Sequence, residues 1–353
     1  MAPFDLKTID RWMEQSGPQQ HVVISSRIRY ARNLAGICFP PHASNSELKQ
    51  TCEMVDAVMN GKGELSGFQR LLLTELTPLQ RNFLRESRFI TNELESGGEW
   101  QRVYLRLSDN TVVLLNEEDH LRMFCIQPGF QLFPILSQIN PLDDAFAERL
   151  PFAWDAQLGY LTSCPSNTGT GIRASVMLHL PALNITDSLK PMLSQISQRG
   201  MAVRGCYGEN TEHFGDIYQI SNERTLGQQE DEIIQALISL AETIVRKEDQ
   251  ARGQLFDKHS SSSLDMIGRA YGILRHTHEI SSREAMKYLS RLRLGIDRGL
   301  LPGLTHEQLS NLMVQVQPAH TSLNAPAAIE PKERDILRAA YLREVFKKIA
   351  PLN

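Results

Sequence analysis

The chain has 353 residues, 41% hydrophobic and 22% charged, with a formal net charge of −4; that is length enough for two domains in an ordinary globular balance. The slight acidity removes bulk charge as a drive toward nucleic acid or anionic membrane, and no run approaches the roughly 18 apolar residues of a membrane span. Five cysteines, Cys38, Cys52, Cys125, Cys164 and Cys206, form no CxxC pair, which fits a reducing cytoplasm and neither a disulfide scaffold nor a structural zinc site.

Residues 1–20 are mixed and polar around Phe4, Ile9 and Trp12, without a signal-peptide core. Val22, Val23 and Ile24 predict a short buried strand that runs into Ser25-Ser26-Arg27-Ile28-Arg29. Residues 47–60 predict a helix, and Gly61-Lys62-Gly63 a turn. Thr77, Pro78 and Gln80 have the spacing of a capped helix start. Residues 100–107 and 111–115 predict a hairpin around Ser108-Asp109-Asn110. A strand over 118–127 and a helix over 130–142 come next. Strands over 160–163 and 174–180 flank a small-residue loop at 164–171, and short strands at 201–204 and 217–221 flank a turn at 205–209. Ile233, Ile234, Leu237, Leu240, Ala241 and Ile244 give residues 230–247 a helical period.

Strands interrupted by helices predict a sheet with helices packed on it. After Gln250 the pattern is helical only, over 264–276, 281–294, 305–316 and 332–349, with capping pairs Ser281/Glu284 and Thr305/Gln308. The charged stretch before the Ser260-to-Ser263 run suggests a boundary near 248–262, dividing the chain into 1–252 and 253–353. Residues 318–331 read as a long loop.

Arginine supplies 27 of the 37 basic residues, and arginine is the side chain suited to bidentate recognition of phosphate. Arg27, Arg29, Arg122, Arg173 and Arg204 all stand where strands meet loops. Converging guanidiniums would repel one another and call for a polyanion such as a nucleoside triphosphate with magnesium. Scattered, they would be ordinary surface arginines, and spacing alone leaves both readings open. Neither GxxxxGK[ST] nor GxGxxG occurs, so any nucleotide is held without the usual phosphate loop.

Five segments, in order, resemble the ATP:guanido phosphotransferases, the creatine and arginine kinase family. They are SSRIR at 25–29, NEEDHLR at 116–122, and CPSNTGT at 164–170 leading into RASV at 173–176. RG at 204–205 with GENTE at 208–212, and IYQISN at 217–222, complete the set. The resemblance covers roughly residues 21–250. It implies an α+β fold, an antiparallel sheet flanked by helices, followed here by an all-helical C-terminal domain. It also implies that Arg27, Arg29, Arg122, Arg173 and Arg204 clamp the ATP phosphates, with Mg2+ held mainly through those phosphates and water. Glu118 and Glu209 would bind the guanidinium, and Cys164 would lie against its reactive nitrogen. Cys164 also reads as a packed small hydrophobe.

The small-guanidine kinases of the family carry a helical domain ahead of the SSRIR strand and an arginine where this sequence has Tyr207. Here about twenty residues precede His21, so a more open guanidine side is expected. With the added C-terminal helices, these departures resemble the family's protein-arginine kinase branch. That resemblance implies phosphorylation of arginine in proteins, with a heat-shock repressor as one substrate; it also implies a zinc-binding activator as partner, a Clp unfoldase–protease that reads the mark, and room for a homodimer. Alternatives are a small-guanidine kinase and a non-catalytic nucleotide-binding adaptor, which both glutamates argue against. Arg334, Asp335 and Arg338 share one helix start and suggest a phosphoarginine-binding site; the other reading is a solvated charged face.

Overall fold

The computed structural model describes residue 9 and residues 12–198, 200–205, 214–258, 260–323, 325 and 329–350. Its elements, in chain order, are β1 (Val23–Arg32), α1 (Asn45–Met59), β2 (Gln69–Leu72), α2 (Pro78–Glu86), β3 (Arg102–Arg106), β4 (Thr111–Leu115) and β5 (Leu121–Pro128). Next come α3 (Leu132–Ala147), β6 (Trp154–Asp155), β7 (Gly159–Tyr160), β8 (Ile172–His179), α4 (Pro181–Ile185), α5 (Leu189–Gln198), β9 (Met201–Gly205), β10 (Ile217–Asn222) and α6 (Glu230–Lys258). The C-terminal part is helical: α7 (Ser260–His276), α8 (Ser282–Ile296), α9 (His306–Gln315), α10 (Pro318–Leu323) and α11 (Pro331–Lys347).

Eight strands form one antiparallel sheet in the order β2-β3-β4-β5-β1-β8-β10-β9. Alternation along each strand gives that sheet two unlike faces. Ile28 and Tyr30 of β1, Met123 and Cys125 of β5, and Ala174 and Val176 of β8 join a core with Ile135, Ile139 and Phe146 of α3 and Ile234 and Leu237 of α6. The opposite face carries the arginines at mid-sheet. On either side of them it is covered by α2, which brings Phe83 and Leu84 against Val112, Leu114 and Phe124, and by the C-terminal helices, whose core takes in Ile24, Met177 and Ile217. The helical region thus packs on the same side of the sheet as the arginine cluster.

Helix starts obey the sequence signals. Thr77/Gln80 and Thr305/Gln308 form reciprocal capping boxes, as does Ser44/Glu47, and Ser281 accepts from the backbone of Glu284. Four expectations are corrected. The strand expected from 118 begins at Leu121, because residues 116–120 form the β4–β5 turn, with Asn116 at φ 55° and its N–H donating to His120 O. In place of a strand over 160–163 there is only the two-residue β6–β7 hairpin. Residues 318–331 include α10. Finally, α6 runs to Lys258 and the serine run is the first turn of α7. The charges that seemed to interrupt α6 are internal: Glu248 is buried, accepts from the N–H groups of Ala182 and Leu183, and pairs with Arg252 at 2.8 Å.

Candidate active site

Cross-strand register brings the arginines together. Arg29 stands opposite Arg173 on one side and Phe124 on the other; Arg27 stands opposite Ser175 and Ile126; Ala31 faces Arg122. Arg204 faces Gln219, which faces Met177. Residues directly opposite share a face, as do residues two apart. All five arginines therefore project from one side of the sheet, and they line a cavity of about 470 Å³ together with Glu118 and Cys164. Convergence, the property that spacing left open, is a consequence of strand pairing.

Two loops complete the cavity, and polar contacts fix both. Asn33 donates to Asp119 at 2.7 Å and accepts from His120 N–H at 2.9 Å; Asp119 also accepts from Ser163 N–H at 2.8 Å, which ties the 116–120 turn to the Cys164 loop. His120 Nδ1 accepts from Leu34 N–H, so its Nε2 carries the proton and donates to Cys38 O at 3.1 Å. Burial pulls the His120 pKa down to about 4, and the ring stays neutral. In the second loop, Cys164 Sγ lies 3.1 Å from Ser166 Oγ, and Thr225 donates to Thr168 O at 2.7 Å.

The electrostatics are those of a site prepared for a polyanion. Arg27 lies over the Phe124 ring, 3.7 Å from its centroid. Enclosure, and next the nearby Arg122, pull the Arg27 pKa down to about 9; the same causes, with Arg173, pull Arg29 well below the ordinary arginine value. Guanidiniums do not give up protons readily, so enclosed and mutually repelling cations of this kind favour added negative charge. Burial also works against the charge on Arg122, but Glu117 and Glu118 outweigh it and hold its pKa up. Glu117 is fully buried, paired with Arg122 and accepting from Thr91, whereas Glu118 is 37% exposed and meets Arg122 Nη2 at 2.6 Å. Of these neighbouring carboxylates, Glu117 braces Arg122 and Glu118 faces the cavity.

Family models match the chain in two parts: the C-terminal catalytic domain of the ATP:guanido phosphotransferases over residues 49–251, and the C-terminal domain of the protein-arginine kinase McsB over residues 261–353. The chain belongs to the ATP:guanido phosphotransferase family, as a protein-arginine kinase. It is 41% identical over 346 residues to the protein-arginine kinase of Moorella thermoacetica, covering 97% of this chain and 99% of the relative. For that of Pelotomaculum thermopropionicum the identity is 40% over 341 residues, 96% of each chain. Among solved structures it is similar to lombricine kinase, with a TM-score of 0.59, 27% identity and coverage of 72% and 73%. The taurocyamine kinase of Schistosoma mansoni with bound transition state analog components matches at TM-score 0.60 and 27% identity, over 67% of this chain and 34% of that one.

The kinase transfers phosphate from ATP to arginine side chains of proteins. Of the residues expected in its site, Arg27, Arg29, Arg122, Arg173, Arg204, Glu118 and Cys164 line one cavity; Glu209 and Tyr207 lie outside the described residues. Sequence reasoning missed Arg85, Arg88, Thr91, Asn92 and Glu93, which close the cavity from the end of α2 and the segment after it. No local motif marks them, since they reach the site only through the packing of α2 on the sheet. The C-terminal trio divides. Arg334 lines a second cavity of about 400 Å³ with Arg85, Arg283 and Ser282. Arg338 is buried and donates to Val316 O at 2.6 Å, Ile280 O at 2.8 Å and Asp335 at 2.5 Å.

Proposed function

We propose that the arginine-lined cavity is where the ATP polyphosphate meets a target guanidinium. The observation that carries this reading is five arginines and Glu118 around one space. In it, Arg27, Arg29, Arg122, Arg173 and Arg204 hold the phosphates, and the buried Nε atoms of Arg27 and Arg29, which lack a hydrogen-bond partner in the protein, suit such a ligand. Magnesium, carried on nucleotide oxygens and water, supplies further charge neutralisation when bound. Glu118 and Glu209 receive the planar guanidinium and orient one nitrogen toward the γ-phosphorus. A nitrogen–phosphorus bond forms as the bond from phosphorus to the ADP oxygen breaks, and the proton shed by nitrogen passes to a carboxylate. A guanidinium pKa above about 12 makes that negative field necessary. Cys164 tunes the reacting nitrogen from the facing loop.

We further infer that arginine within a polypeptide is preferred to free arginine, and that the marked proteins include a heat-shock repressor and feed a Clp unfoldase–protease in the cytoplasm. A zinc-binding activator and homodimerisation belong to the same reading. Its support is similarity along nearly the whole chain to protein-arginine kinases; among the described residues no helix is long and apolar enough to cross a membrane. The test is steady-state phosphorylation of an arginine-bearing protein and of free arginine with ATP and magnesium, read by mass spectrometry without acid because phosphoramidates are acid-labile. A higher kcat/KM on the protein is expected; the reverse order overturns the preference. Phosphoarginine recognition by the C-terminal trio is a second proposal, favoured by the position of Arg334 on the 400 Å³ cavity.

A further inference from the structure

Helix α2 ends between two environments. Arg85, in its last turn, and Arg88, two residues past its end, line the phosphate cavity. Between them, Glu86 points the other way. Its carboxylate accepts from Ala319 N–H at 2.9 and 3.1 Å and from His320 N–H at 3.1 Å, and it meets His320 Nδ1 at 2.7 Å. Ser87 Oγ lies 3.5 Å from His320 Nε2, and the Phe83 ring stacks on the same imidazole at 4.1 Å. Glu86 and His320 are 3% and 1% exposed, and 234 residues separate them in sequence. A buried carboxylate so fully satisfied is a rigid anchor.

Immediately beyond that anchor the backbone is constrained. Arg88 has φ 68°, the left-handed conformation usually left to glycine after a helix. The turn is closed by Arg88 N–H to Arg85 O at 3.0 Å and Phe89 N–H to Leu84 O at 2.9 Å, with Phe89 fully buried. Arg88 reaches Ser25 Oγ at 3.4 Å at the edge of β1 and adds to the positive crowding on Arg27. Arg85 is kept at the rim by Asn82 at 3.2 Å and Glu95 at 3.3 Å.

We propose that Glu86, clamped to His320 and the start of α10, is a positioning residue that holds Arg85 and Arg88 as additional phosphate-cavity cations. The helical C-terminal region thereby sets nucleotide affinity through this contact. The inference rests on the reading of the cavity as the polyphosphate site. Its sign separates positioning from simple charge. Removing a carboxylate near a phosphate site should by Coulomb interaction alone tighten anion binding, whereas loss of positioning weakens it.

The experiment is calorimetric titration of the full chain with magnesium and a non-hydrolysable ATP analogue at fixed ionic strength. Arg85→Gln and Arg88→Gln are each expected to weaken binding about 10-fold, the scale of one charge-assisted contact. Glu86→Gln should weaken it several-fold, and in the Arg85→Gln/Arg88→Gln background it should change affinity less than about twofold, since residues acting through one another are not additive. Wild-type or tighter binding by Glu86→Gln overturns the proposal, and so does an effect that persists in full in the double variant. If Glu86→Gln does not fold, His320→Gln is read by the double-variant criterion alone: its weakening should fall below about twofold in the Arg85→Gln/Arg88→Gln background, and an effect that persists in full there overturns the proposal. Arg29→Gln separates the two layers. Lost binding there with unchanged binding in Arg85→Gln and Arg88→Gln overturns only this inference; normal binding in Arg29→Gln overturns the cavity reading and the inference with it.

Discussion

Glu118→Gln removes one charge and almost no volume, and the structure sets how much that should matter. The Glu118 carboxylate is 37% exposed, faces the cavity and lies 2.6 Å from Arg122, which Glu117 also holds. A unit charge about 4 Å from a guanidinium is worth roughly 4 kcal/mol at an effective dielectric of 20 and roughly 1 kcal/mol in bulk water. The partial exposure places Glu118 between those limits, at about 2–3 kcal/mol, or about 10²-fold in turnover. Nucleotide binding should behave differently. Arg122 keeps Glu117 as its brace and loses a competitor, so affinity for ATP stays constant or rises. The assay is kcat on an arginine-bearing protein, with nucleotide affinity titrated separately. Turnover within about threefold of wild type would refute the assignment. Affinity for ATP that falls in step with kcat would refute it too, because Glu118 would then belong to the phosphate clamp.

A pH effect arises from His120, whose pKa burial lowers to about 4. The unfolded chain takes up this proton near pH 6.5 while the folded chain does not. Its stabilising effect is therefore complete above about pH 6.5 and is lost as pH falls toward 4, by up to about 3 kcal/mol. Burial lowers His179 as well, so His120→Gln should flatten only part of the decline in denaturation midpoint between pH 7 and 5; an unchanged slope would exclude His120 as a source. In the C-terminal part, Arg334→Ala should weaken phosphoarginine binding to the full chain about tenfold or more with little change in thermal midpoint. Arg338→Ala, which leaves the carbonyls of Val316 and Ile280 without their donor, should cost about 3 kcal/mol of stability. Absence of phosphoarginine binding by the intact chain at millimolar ligand would return Arg334 to an ordinary cavity-edge charge.

Strand and helix identities were largely legible locally, because the apolar run at 22–24, the 3.6-residue period of α6 and the Thr77/Gln80 cap act within a few residues of themselves. The motif segments likewise singled out Arg27, Arg29, Arg122, Arg173, Arg204 and Glu118, which line one cavity. The burial of charge inside helix α6 was not legible: Glu248 and Arg252 form a buried pair, since whether a charge is solvated depends on what packs over it. The fate of Arg338 was equally hidden, for helical period puts it on the face of Arg334, but Val316 and Ile280, 22 and 58 residues distant, decide that it is buried. The cavity itself belongs to tertiary structure. Sequence placed arginines at 27, 29, 122, 173 and 204, and only the register β5-β1-β8-β10-β9 set them on one face. Arg85 and Arg88 arrive by a longer route still, through α2 and its buried hold on α10. Local propensity is short-ranged and readable along the chain; convergence of like charges opposes itself electrostatically, and it is maintained by strand pairing and core packing between distant segments.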